Sequence, residues 1–110
     1  MGVFFMEKAN SNLKQENIFK DYRSLAQAVW NNIVTVHDNL KIPNVTLTIS
    51  DHELEFVLSY ALNGQAEFIS FPYRALDKMK AFKMVYALAE KSSIKGKVFC
   101  EKTVMHFTFH

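Results

Sequence analysis

Residues 44–71 read NVTLTISDHELEFVLSYALNGQAEFISF, and the reading of this stretch decides the fold. Val45, Leu47 and Ile49 alternate with Thr46, Thr48 and Ser50, the period of a strand with one buried face. Asn63-Gly64 is the strongest hairpin signal in the chain, because both positions of a tight two-residue turn need positive φ. Pairing about that turn sets Leu58 against Ile69 and Phe56 against Phe71. A two-residue turn at Asp51-His52 would set Ile49 opposite Leu54, Leu47 opposite Phe56 and Val45 opposite Leu58. The second strand, Glu53 to Leu62, then carries Leu54, Phe56, Leu58, Tyr60 and Leu62 inward, so all three strands agree on one apolar face.

Upstream, Ile18, Tyr22, Leu25, Val29, Ile33, Val36 and Leu40 recur at intervals of three and four, which predicts an amphipathic helix from about Asn17 to Leu40. Pro43 follows, where it cannot extend the helix. Downstream, Pro72 closes the third strand and a second helix is expected from about Tyr73 to Lys91. Its apolar arc holds Ala75, Met79, Phe82, Val85, Tyr86, Leu88 and Ala89. A last hairpin runs from Ile94 to Cys100 and from Thr103 to Phe109. A turn at Glu101-Lys102 would pair Val98 with Met105 and Gly96 with Phe107. The expected fold is a single α+β domain over residues 13–110, in the order α-β-β-β-α-β-β. It has an antiparallel five-stranded sheet with the helices mainly on one face, and residues 1–12 form a flexible N-terminus.

The whole chain of 110 residues is 49% hydrophobic and 22% charged, with three Gly and two Pro, which excludes a disordered or collagen-like chain. One cysteine cannot make an internal disulfide. The opening MGVFFM is too short for a signal peptide's apolar region and is followed at once by Glu7 and Lys8, so a cytoplasmic protein is expected. Met1 and Met6 are both candidate starts, and the Asn44-Val45-Thr46 sequon should be silent in that compartment. A membrane span would need about 18 consecutive apolar residues, and the chain has no such run.

The net charge of +2 conceals an uneven distribution. Residues 1–73 hold five basic and eight acidic residues, whereas residues 74–110 hold eight and three. The basic set is Arg74, Lys78, Lys80, Lys83, Lys91, Lys95, Lys97 and Lys102. It reads either as a patch for phosphate or nucleic acid, or as the solvated side of a helix together with lysines guarding an edge strand. Only one of the eight is Arg, the residue best suited to phosphate recognition, and this favours the second reading.

Candidate chemistry is sparse. His106 and His110 are four apart, which on a strand means about 13 Å, too far for one metal ion. His52 lies at a hairpin tip in Asp51-His52-Glu53, and His37-Asp38 falls near a helix C-terminus, where a His is favourable without catalysis. Cys100 shares the inward parity of Val98 and is expected as a small buried hydrophobe. Met79, Met84 and Met105 read as core fillers, and Trp30, Tyr22 and Tyr86 as core or interface aromatics. Neither metal nor cofactor is expected, nor is an enzyme.

The outer sheet face is unusually apolar. Val57 and Phe68 fall on it in the first three strands, and Phe99 and Val104 in the last two. A solvated sheet face is normally more polar, so these four residues are the expected contact with a protein partner or a second copy, most simply as a twofold homodimer. The order of elements is similar to that of the small dimeric chaperones of type III secretion. Their sequence motifs and final helix have no counterpart here, so the similarity is one of element order. The expected function is a non-enzymatic protein-binding module such as an adaptor, inhibitor or chaperone-like protein. The alternative is nucleic-acid binding through the basic second helix and C-terminal hairpin.

Overall fold

Two aspartates set where the helices begin. In the computed structural model, which describes residues 18–50, 52, 54–74, 76–92 and 96–109, helix α1 spans Tyr22–Leu40 and helix α2 spans Lys78–Lys91. The Asp21 carboxylate accepts from the Arg23 amide and the Ser24 hydroxyl, both at 3.2 Å, and the Asp77 carboxylate accepts from the amides of Met79 and Lys80 at 3.1 Å. Each cap satisfies helix-end amides that would otherwise lack partners. The apolar period alone had placed both starts about five residues earlier, at Asn17 and Tyr73. Instead Phe19 and Tyr73 stay extended and form a parallel bridge. The Phe19 amide donates to the Pro72 carbonyl and the Arg74 amide to the Phe19 carbonyl. At its far end α1 stops at Lys41, whose φ of 59° and amide bond to the Val36 carbonyl form a left-handed cap.

The strands are β1 (Asn44–Ser50), β2 (Glu55–Leu62), β3 (Gln65–Pro72), β4 (Gly96–Glu101) and β5 (Val104–Phe109). They form one antiparallel sheet in the order β3-β2-β1-β5-β4, and the element order α-β-β-β-α-β-β is the expected one. The Asn63-Gly64 hairpin forms as read, with positive φ at both residues and Leu58 opposite Ile69. The segment expected to be a flexible N-terminus (1–12), together with Asp51, Glu53, Ala75, Lys95 and His110, lies outside the described residues.

Two registers differ from expectation, each by two residues. Ile49 pairs with Phe56 rather than Leu54, and Leu47 with Leu58, because the connection is longer than two residues and Leu54 adopts a left-handed φ of 54°. Strand β2 therefore starts at Glu55, and Leu54 leaves the core to stand 54% exposed. In the last hairpin the turn is Lys102-Thr103, with Lys102 at φ 52°, so that Val98 faces Phe107 and Gly96 faces Phe109. That placement also lets the Thr103 carbonyl accept the Ile49 amide at 3.0 Å. A shift of two residues keeps every side chain on its face, so the inward set survives both corrections.

That inward set packs beneath both helices. Phe56 is fully buried and meets Tyr73 and Phe82 edge-on, with ring centroids 5.6 and 6.3 Å away, while Trp30 of α1 lies 6.2 Å from Phe107 of β5. Leu25, Val29 and Ile33 from α1 and Ala81 and Val85 from α2 complete the layer. Phe56→Ala is expected to destabilise the domain by about 3–5 kcal/mol, measured by urea unfolding, because it leaves a cavity between two edge-on rings. Gly96 sits so close beneath β5 that a Cβ would meet the Thr108 carbonyl oxygen at 2.5 Å and the Phe109 ring at 3.0 Å. Gly96→Val should therefore cost about 1–3 kcal/mol in the same measurement, although the position is exposed.

Candidate functional site

With both helices on one side, no described element covers the other face of the sheet, and the strand order assembles on it residues far apart in the chain. Cross-strand partners form a central row that runs Phe68, Ser59, Thr46, His106, Phe99 from edge to edge. A flanking row runs Ser70, Val57, Thr48, Val104, Glu101. On the other flank Ala66 pairs with Ala61, and Asn44 and Lys97 both pair with Thr108. The two phenylalanines are 66% and 61% exposed, far more than any buried-face aromatic, whereas Val57 and Val104 are half-buried. The four residues named from sequence thus share one surface.

Polar contacts order the floor of this surface. The Thr46 hydroxyl lies 3.3 Å from His106 Nδ1, and the Ser59 hydroxyl donates to the Thr46 carbonyl at 3.4 Å. The His106 ring in turn stacks on Phe99, with centroids 6.2 Å apart and planes 28° from parallel. Phe99 is thereby steadied by its neighbour while its own outward side stays open. Among the described residues, charge on the face is confined to Glu55, Lys97 and Glu101 at its margins, with His106 inside.

The described basic residues are divided between the helix side and the sheet side of the domain. Lys80, Lys83 and Lys91 project from the solvent side of α2, opposite the buried Ala81, Phe82 and Val85. Lys80 also lies over the Tyr22 ring at 5.8 Å, and Arg23 over the same ring at 5.6 Å, tying the start of α1 to that of α2. Arg74 and Lys78 lie before and at the start of α2, Lys102 is in the last turn, and Lys97 is the one basic residue of this set, among the described residues, that stands on the outer sheet face. A single-stranded nucleic acid needs aromatics and cations on one surface. Here the exposed phenylalanines are on the sheet side and the lysine stripe is on the helix side.

Several residues sit elsewhere than the sequence predicts. Cys100 has the inward parity of Val98 but is exposed, because β4 is the sheet edge where helical cover runs out. It lies near Tyr86, whose hydroxyl is held above the usual phenol range by a hydrogen bond to Glu90, with smaller contributions in turn from that carboxylate's charge, from burial and from Cys100. Met79, expected in the core, lies in the first turn of α2 and is 37% exposed; Met84 is half-buried and Met105 is a core residue as expected. Leu54 and Met79 instead line a cleft of about 400 Å3 with Tyr73, Arg74, Leu76, Asp77 and Lys78. No periodicity signals this cleft, since both residues carry inward positions in their alternations. A second cleft of about 320 Å3 holds His37, Asp38, Lys41, Pro43 and Phe109. Within it His37 Nδ1 lies 3.0 Å from the Asp38 carboxylate and its ring packs on Phe109 at 4.4 Å. Neither cleft includes His52 or His106. Tyr60, inward on β2, has its hydroxyl pushed above the ordinary range by burial and then by Glu67 across the strand pair.

No protein-family model matches the chain, and the comparisons with curated proteins and with solved structures found no match. Among the described residues, no helix is long and apolar enough to cross a membrane. The exposure of Cys100 is directly measurable. A thiol-reactive dye should modify it fully in the native protein without denaturant, whereas a buried thiol would react only on unfolding.

Proposed function

We propose that this chain is a cytoplasmic, non-enzymatic protein-binding module that acts through the outer face of its sheet, either on a partner protein or on itself. The observation that carries the reading is the placement of Phe68 and Phe99. Both are largely exposed and lie at opposite ends of one cross-strand row floored by Ser59, Thr46 and His106. Two exposed aromatic side chains on a regular, hydrogen-bonded surface gain most when a second protein surface removes them from water, and aromatics are the residues most enriched at such contacts. The β-branched and small residues between them, Val57, Thr48, Val104 and Ala61, lose little side-chain freedom on contact.

The reading is tested by replacing Phe68, Phe99 or, as a control on the solvent side of α2, Ala87 with a photo-crosslinking phenylalanine analogue in the source cells. Protein adducts are expected from positions 68 and 99 and not from 87. Equal yields at all three positions, or none at 68 and 99, would remove the outer face as the binding surface.

A further inference from the structure

Resting on the outer-face reading, we propose that the occupant of this face is a second copy of the same chain, packed sheet to sheet about a twofold axis that lies along the row Phe68-Ser59-Thr46-His106-Phe99. The argument is one of self-complementarity. Rotation about that axis exchanges the two flanking rows and leaves the central row facing itself. Lys97 then faces the partner's Glu101, and Glu101 faces the partner's Lys97, giving two symmetry-related ion pairs. Thr108 faces the partner's Val104, Ala61 the partner's Val57, and Ala66 the partner's Ser70, each a match of small or β-branched side chains. Phe68 and Phe99 meet their own counterparts at the two edges.

The other in-plane twofold, parallel to the strands through β1, fails on charge. It would set Lys97 opposite Ala66 and Glu101 opposite Ser70, removing two charges from water with no opposite charge facing them. Neither Lys97 nor Glu101 has an ion-pair partner among the described residues of its own chain, so both are free to pair across an interface. An isologous contact requires each patch to complement itself, and the favoured axis meets that condition. Its strand directions are compatible with the near-aligned packing of two twisted sheets about 10 Å apart. The area lies at the lower end of the range for stable interfaces, about 600–1,000 Å2 per partner. Strand spacing and rise make the five-stranded face roughly 24 Å by 24 Å, on the order of 600 Å2 before side-chain relief is counted, against about 800 Å2 per partner in a standard interface.

The test measures dimer dissociation by sedimentation for the wild type, Lys97→Glu, Glu101→Lys, the double exchange and Phe68→Glu. All the altered side chains are exposed, and circular dichroism checks that each variant stays folded. The wild type is expected to dimerise. Each single reversal should weaken the dimer about tenfold or more by opposing like charges, and the double exchange should restore it to within about threefold. A wild type that stays monomeric at about 100 µM overturns the proposal, and the crosslinks from position 68 then decide the outer-face reading separately. A dimer weakened by Phe68→Glu but indifferent to both reversals overturns this axis and leaves the outer face as the interface. A dimer indifferent to all the variants overturns both.

Discussion

The ladder between β1 and β5 is the interaction on which the rest of the structure depends. It joins residues about sixty apart, from Asn44 opposite Thr108 to Thr48 opposite Val104. Backbone bonds prolong it at both ends, from the Phe109 amide to Pro43 at 2.7 Å and from the Ile49 amide to Thr103 at 3.0 Å. Without it the chain would be a three-stranded meander and a separate hairpin, each with an open edge and half a core. With it, Leu47 and Met105 become neighbours in a single buried layer, and one side chain pair, Thr46 and His106, spans the seam on the opposite face. Closing so long a loop costs entropy that only the shared core repays, so the seam and the helix packing stand together.

The same seam creates the candidate site. Phe68 is on β3 and Phe99 on β4, the two edges, and they fall in one row only because β1 and β5 meet in this register. A helix on each face would have hidden that row. Instead α1 and α2 share the side where Phe56, Phe82, Trp30 and Phe107 interlock, because the apolar stripes of both helices need the same inward residues. That no described element covers the outer face is thus a consequence of where the larger aromatics went.

Much of the inward set was legible in the chain. Alternation along the five strands named Val45, Leu47, Ile49, Phe56, Leu58, Met105 and Phe107 as one face, and it named Val57, Phe68, Phe99 and Val104 as the other. The Asn63-Gly64 turn was readable because its positive φ values depend on those two residues alone. Where the turn chemistry was weaker, at Leu54 and Lys102, residues without glycine's freedom took the left-handed conformation, and the register moved by two. Cys100 and Met79 were misplaced for another reason. Their parity or period is right, but burial also needs a covering neighbour, and Cys100 lies on the edge strand while Met79 lies in the first turn of α2, in the cleft it lines with Leu54.

Local sequence by itself determined which residues alternate, which stripe each helix buries and how the middle hairpin turns, since each of these follows from neighbours within a few positions. It also carried the helix starts, in Asp21 and Asp77, as capping chemistry that competes with the apolar period. Strand order, the β1–β5 seam, the final registers and the meeting of Phe68 with Phe99 in one row were decided only by the tertiary structure. They depend on which distant surfaces fit once the core closes, and period-two alternation is the same whichever strand lies next door.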